Sequence, residues 1–258
     1  MLGKVKALSL IYGIVISLFL VISSDSLAQE SDDSPTIIYN KQMAGGLDIH
    51  TNGFGAFFQL GKYRGVKNIL LFNVDLVTMK HEKEVKSYNP VYEDSRSYVY
   101  GKLNNFYTLR PMIGKKRVLA QKERRSGVQV SYQWLVGPTI GITKPIYLEI
   151  GYPSIPYDYL SVEKYNPEQH FFDDIYGRAS GLRGVSELGI VPGGSFKFGL
   201  NFEYSNQKDR MKGLEVGAVL DFYWKKVPIM AEEYVDANRQ YFLTLYLNLF
   251  FGKKYIQR

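Results

Sequence analysis

Three histidines, His50, His81 and His170, are the only imidazoles in the 258-residue chain, and they lie far apart in sequence. None falls in a zinc-type repeat. The chain has no Cys, which excludes disulfides, thiolate metal sites, Cys nucleophiles and lipid attachment through a lipoprotein cysteine. The densest chemical group is His170 with Asp173 and Asp174. Those residue types could ligate a hard cation or serve as an acid-base pair, but a solvated loop is the favoured reading of them. His50, two residues after Asp48, is the second candidate, since a barrel hydrolase pairs such a His with a Ser. Spacing assigns no Ser to it. The basic run Lys115, Lys116, Arg117, Lys122, Arg124 and Arg125 is the third, either a docking patch for an acidic partner or lipid head groups, or a solvated face. No catalytic residue, cofactor site or metal ligand follows from these groups.

The elements that must position them show best at the C-terminus. From Arg239 to Phe251, Tyr241, Leu243, Leu245, Leu247, Leu249 and Phe251 share one phase, while Gln240, Thr244, Tyr246 and Asn248 occupy the other. Successive strand side chains point to opposite sides, so an unbroken apolar face must meet protein core or lipid. The same alternation recurs at Phe196 to Tyr204 and at Leu214 to Trp224, with charges on the reverse face. Charges are costly to bury unpaired, so the pattern predicts an antiparallel transmembrane β-barrel. A soluble antiparallel sandwich with one solvated face is the competing reading.

Counting such segments predicts about ten strands, with eight or twelve as the neighbouring counts. Asn52-Gly53 marks a tight hairpin between the first two. Val128 to Ile150 keeps one phase for too long to cross a bilayer once, so a break is placed at Thr143-Lys144-Pro145. Pro192-Gly193-Gly194 reads as another turn, and 111–126 as a long turn or short helix. The inward set is then Asp48, His50, Asp75, Glu149, Glu203, Glu215 and Asp221 against Lys102, Arg110, Lys197 and Lys225, an ion-pair network that closes a narrow lumen. With both termini periplasmic, this count puts 111–126 and 151–183 on the periplasmic side, the reverse of the usual arrangement.

Residues 1–28 have the layout of a secretory signal peptide: Lys4 and Lys6, an apolar run from Ala7 to Ile22, and Ser26-Leu27-Ala28 before the expected cleavage. A retained N-terminal helix is the alternative. Cleavage removes two Lys and one Asp and lowers the net charge from +7 to +6. Residues 29–35 form an acidic, polar leader, and 36–258 form the barrel domain. Export makes nucleic acid an improbable partner and outer-membrane lipid or lipopolysaccharide an expected one.

Several short stretches carry a resemblance: Gly45-Gly46, Thr51 to Gly55, Gly101-Lys102-Leu103-Asn104, Gly137-Pro138, Lys144-Pro145, Tyr176 to Ser180, Glu215-Val216-Gly217 and Lys225 to Ala231. In these the chain resembles a family of small outer-membrane β-barrel proteins of Bacteroidetes, over most of its mature length. The resemblance implies location and fold and carries over no catalytic residue. In size and layout alone it is similar to accessory barrels of secretion and barrel-assembly machines. The resulting expectation is a non-enzymatic scaffold or accessory subunit of an envelope machine, with partner contacts at 111–126 and 151–183. A lipid-modifying enzyme using His50 or His170 and a small-solute channel are the alternatives.

Overall fold

The computed structural model describes residues 39–256 apart from 90, 123–126, 154, 206, 208 and 233–237. The segments expected to be a signal peptide and a leader, with Arg124 and Arg125, lie outside the described residues. Eight antiparallel strands close into an up-and-down barrel in which every strand pairs with its neighbours in sequence order and the last pairs with the first. They are β1 (Lys41–His50), β2 (Gly53–Tyr63), β3 (Asn68–Met79), β6 (Asn104–Ala120), β7 (Gln129–Pro145), β11 (Gly189–Glu203), β12 (Arg210–Tyr223) and β13 (Tyr241–Tyr255). The short β4 (Lys86–Ser87) and β5 (Tyr98–Val99) pair with each other, and β8 (Tyr147–Tyr152), β9 (Tyr159–Lys164) and β10 (Ile175–Arg178) form a separate three-stranded sheet.

The expected ten strands become eight for two reasons. After Pro145 the chain leaves the wall, so β8 joins the small sheet. Pro192-Gly193-Gly194 lies inside β11 and is no turn. Pro192 accepts the backbone N–H of Trp224, the residue just past the end of β12, so its missing donor falls where that ladder has stopped. The stretch after Pro111 is likewise strand. Pro111 and Pro138 sit opposite each other in the gap between the Leu109↔Ile140 and Ile113↔Val136 rungs of β6–β7, so one interruption accommodates both imino acids. The hairpin at Asn52 forms, with Thr51-Asn52 as its tip and no positive φ at Asn52.

Alternation governs the whole wall. Leu47, Phe54, Phe72, Leu76, Ile113, Val136, Phe196, Leu220 and the odd positions of β13 from Tyr241 to Lys253 point outward and are exposed, while Asn73, Asp75, Arg110, Gln133, Lys197, Glu215 and Asn248 are buried inside. This is the inverse of a water-soluble sheet protein. The interior of an eight-stranded barrel is just wide enough for side chains, and here they cross it. Arg110 donates to both carboxylate oxygens of Asp221 at 2.8 and 2.6 Å. Lys197 donates to Asp75 at 2.9 Å, and Lys116 to Asn201 at 3.0 Å. Glu215 accepts from Tyr246 at 2.7 Å and Gln133 at 2.9 Å, and a Cβ at inward Gly217 would press on that Tyr246 hydroxyl.

Of the expected inward set, Asp48, His50, Asp75, Arg110, Lys197, Glu203, Glu215 and Asp221 are inside the barrel. Three are not. Glu149 is on β8 in the small sheet, Lys102 precedes β6 and pairs with Glu84 at 2.6 Å, and Lys225 follows β12 in an exposed connection. The basic run also divides, because period two sends neighbours to opposite faces. Lys116 is lumenal, Lys115 and Arg117 are outward, and Lys122 lies past β6, donating to Glu203 at 3.2 Å. Lys115 and Arg117 instead join Lys62, Arg210, Lys212 and Lys253 in a cationic arc on the outer wall near the chain termini.

Residues 64–67, 121–128 and 204–209 link strands at the end that carries both termini. The longer 80–103, 146–188 and 224–240 all lie at the other, far end, together with the Thr51-Asn52 tip. The sidedness read from ten strands changes for 151–183, which lies opposite the termini, while the end of β6 and the Thr51-Asn52 tip keep the sides expected of them.

Candidate functional site

The far end is built by the three long connections. Lys225 to Ala231 folds across the barrel mouth, where Val227, Ile229 and Met230 pack on Val77, Met79, Phe106, Val191 and Tyr223. Asn238 holds this plug by accepting the N–H groups of Ile229 at 3.0 Å and Met230 at 3.2 Å and donating to the Met230 carbonyl at 2.8 Å. The stretch Gly101 to Asn104 lies against it, Leu103 donating its N–H to the Ile229 carbonyl at 2.9 Å. Two of the stretches that carry the family resemblance thus meet as one lid.

The small sheet stands beside this lid. Its central strand β8 points Leu148 and Ile150 into a cluster with Tyr98, Tyr165 and Ile175. The connection containing Asn89 is tied to it: Asn89 is buried, donates to the Ile175 carbonyl and to the Tyr157 hydroxyl at 2.9 Å each, and accepts the N–H groups of Val91 and Tyr92. Tyr92 stacks on Tyr157 with ring centroids 5.1 Å apart. Burial pushes the Tyr98 hydroxyl up to about 12. On the surface of the module Tyr159, Leu160, Val162, Phe171 and Phe172 remain exposed.

Where the module meets the outer rim of β6 and β7 there is a cavity of about 370 Å³. Lys86, Lys102, Lys144, Arg178 and Arg183 line it, and among the described residues no carboxylate does. Glu84, just outside, balances Lys102. Lys144 donates to the Gly181 carbonyl and so ties the segment after β10 to the rim. Nearby, Glu187 accepts from Tyr147 and pairs with Lys164 at 3.0 Å, and the Tyr147 bond is the chief cause holding its carboxyl below the usual range. The cavity is a cation-lined recess suited to an anion.

No family model matches the chain, and no curated protein does. One solved structure is similar, the crystal structure of Neisserial surface protein A, with a TM-score of 0.38 and 8 % identity, over 83 % of this chain and 95 % of that one.

The histidine candidates go elsewhere. His170 Nδ1 accepts the Asn166 N–H at 3.2 Å, and its Nε2 lies 3.2 Å from Glu163. Bonds from Ser161 first, then Tyr152 and His170, hold the Glu163 carboxyl below the usual range. Asp174 caps a local turn through the Phe171 N–H at 3.1 Å, and Asp173 offers its backbone carbonyl to Tyr157 at 2.6 Å. The His170 and Asp174 side chains serve separate bonds and Asp173 takes part through its backbone, so among the described residues the three form no metal-holding group. His50 accepts the Asn52 N–H at 3.2 Å, a bond that closes the hairpin.

Of the cavity cations, only Lys102 was among the residues singled out by charge, and as a lumenal one. Arg178 and Lys144 were present in the resemblance stretches, Arg183 and Lys86 in neither. Lys86, Lys144 and Arg183 are separated by dozens of positions and become neighbours only when β8 leaves the wall.

Proposed function

We propose that the chain is an outer-membrane barrel that performs no chemistry of its own and acts as a scaffold or accessory subunit of an envelope machine, engaging partners through its far-end module. The observation that carries this reading is that all three long connections gather at one end and fold into an ordered lid and sheet, above a lumen crossed by side chains. An exposed apolar wall is what a bilayer stabilises, and the strand lengths suit it. Short links at the terminal end and long ones at the far end match a barrel with periplasmic termini and an outward-facing module. The exposed Leu160, Val162, Phe171 and Phe172 give that module an apolar contact surface. Partner contacts expected at 111–126 are moved to it, because that segment is mostly barrel wall.

Affinity isolation from gently solubilised membranes is expected to recover defined envelope partners, and Leu160→Glu combined with Phe171→Glu is expected to lose them while the barrel still folds. Recovery of the protein alone in several detergents counts against the subunit reading. The occupied lumen gives a separate expectation: folded protein in planar bilayers passes no step currents. Regular unitary conductance would show an open path and favour a small-solute channel instead.

A further inference from the structure

The geometry points to the cation-lined cavity at the far rim as a binding site for the phosphate-bearing head group of a membrane lipid. This inference rests on the membrane-spanning reading above. Five cationic side chains, Lys86, Lys102, Lys144, Arg178 and Arg183, line one recess, and among the described residues one carboxylate, Glu84, pairs with one of them, Lys102. One carboxylate ligand would be matched by one cation. A surplus this large fits a phosphate, whose oxygens take several donors at once and suit the planar forks of two arginines. The volume of about 370 Å³ lies in the range of small-ligand pockets and exceeds what a bare phosphate fills. Ser97 and Ser180 add hydroxyls to the wall.

Position favours a lipid over a soluble ligand. Asn105, Tyr107 and Lys144 are outward residues of β6 and β7, so the cavity opens on the outer wall at the edge of the apolar belt, where head groups begin. The segment leaving it holds a second, independent sign. Leu182 is 83 % exposed and Ile190 67 %, with Val185 and Leu188 also exposed, in the stretch that runs from Leu182 into β11. Exposed aliphatic side chains beside a cluster of cations are the pattern of a segment seated at a membrane interface, where apolar burial and attraction to anionic head groups act together, and the one acid of this stretch, Glu187, is paired with Lys164 at 3.0 Å.

The test uses the full mature chain refolded in nanodiscs of phosphatidylcholine doped with phosphatidic acid. Native mass spectrometry follows the lipid retained as the disc is stripped. The variant removes three exposed cations at once, Lys86→Gln, Arg178→Gln and Arg183→Gln. A charge-matched control removes three from the opposite end, Lys62→Gln, Lys212→Gln and Lys253→Gln. The wild-type chain and the control are expected to retain phosphatidic acid, and the cavity variant to lose about tenfold or more of that preference. Equal retention by the cavity variant, or equal loss by the control, overturns the site. Inorganic phosphate titrated in zwitterionic micelles separates the sources: an affinity as high as that for the lipid overturns the lipid assignment in favour of a soluble phosphate ligand. Flotation with pure phosphatidylcholine vesicles keeps the two readings apart. A chain that fails to float overturns the membrane-spanning reading itself, whereas one that floats without preferring phosphatidic acid overturns only this inference.

Discussion

Replacing Asp221 with Ala is expected to cost the folded barrel about 3 to 5 kcal/mol, the penalty for leaving a buried cation without its partner. Arg110 makes a two-pronged contact with Asp221, at 2.8 Å from Nε and 2.6 Å from Nη2, and neither side chain has more than 1 % of its surface exposed. The nearest substitute is poor. Asp75 faces Arg110 across the β3–β6 ladder, but its carboxylate already accepts Lys197 at 2.9 Å and Asn73 at 2.6 Å. Without Asp221, two buried cations share one carboxylate. The paired variant Arg110→Met with Asp221→Leu removes both charges and is expected to lie near the wild type, since desolvation offsets most of what the ion pair contributes. Urea unfolding of vesicle-reconstituted protein, followed by tryptophan emission, measures both. A single variant within about 1 kcal/mol of the wild type would mean that water reaches Arg110 and that the lumen is not packed as described.

That network is legible in outline from the sequence. Asp75, Arg110, Lys197, Glu215 and Asp221 share a phase because period two fixes which face each strand residue occupies, whatever lies beyond the face. What alternation cannot encode is the identity of the apolar surroundings. Leu148 and Ile150 continue the phase of Ile140 and Ile142, yet they meet the protein core of the small sheet, so the pattern alone read one wall where the chain builds two structures. Proline misled in the other direction. Pro111 and Pro192 look like turns, but each is tolerated in the wall because its missing N–H falls on an absent rung. The far-end cavity was the least legible element, because its cations come from β4, the turn before β6, β7, the end of β10 and the segment after it, brought together by long-range packing alone.

Arg placed at Leu247 is expected to destabilise the barrel by about 2 to 4 kcal/mol, the cost of a charge on the lipid face near the bilayer midplane. Read from sequence, the strand ended at Phe251 and Leu245 stood at its centre. The strand runs from Tyr241 to Tyr255, which moves its midpoint to Asn248. Leu245 is level with the tip of the first hairpin, where its carbonyl accepts the Thr51 N–H at 3.0 Å, so Arg there is expected to cost less than at Leu247, falling toward about 0 to 1 kcal/mol at the interface. Leu247 pairs with Ile49 on one side and Val216 on the other, inside the apolar belt. The inward neighbour changes its forecast too. A wide lumen would accept Arg at Thr244, but Thr244 is 1 % exposed in a lumen filled by side chains, so Arg there is expected to disrupt packing and Ser to be tolerated. Spin labels placed singly at 243 to 248 separate a lipid-facing wall from a soluble one. Contact with a lipid-soluble quencher that is strongest at 247, fades through 245 to 243 and is weak at 244, 246 and 248 follows from the barrel. Uniform protection would place this face against protein and remove the membrane from the account.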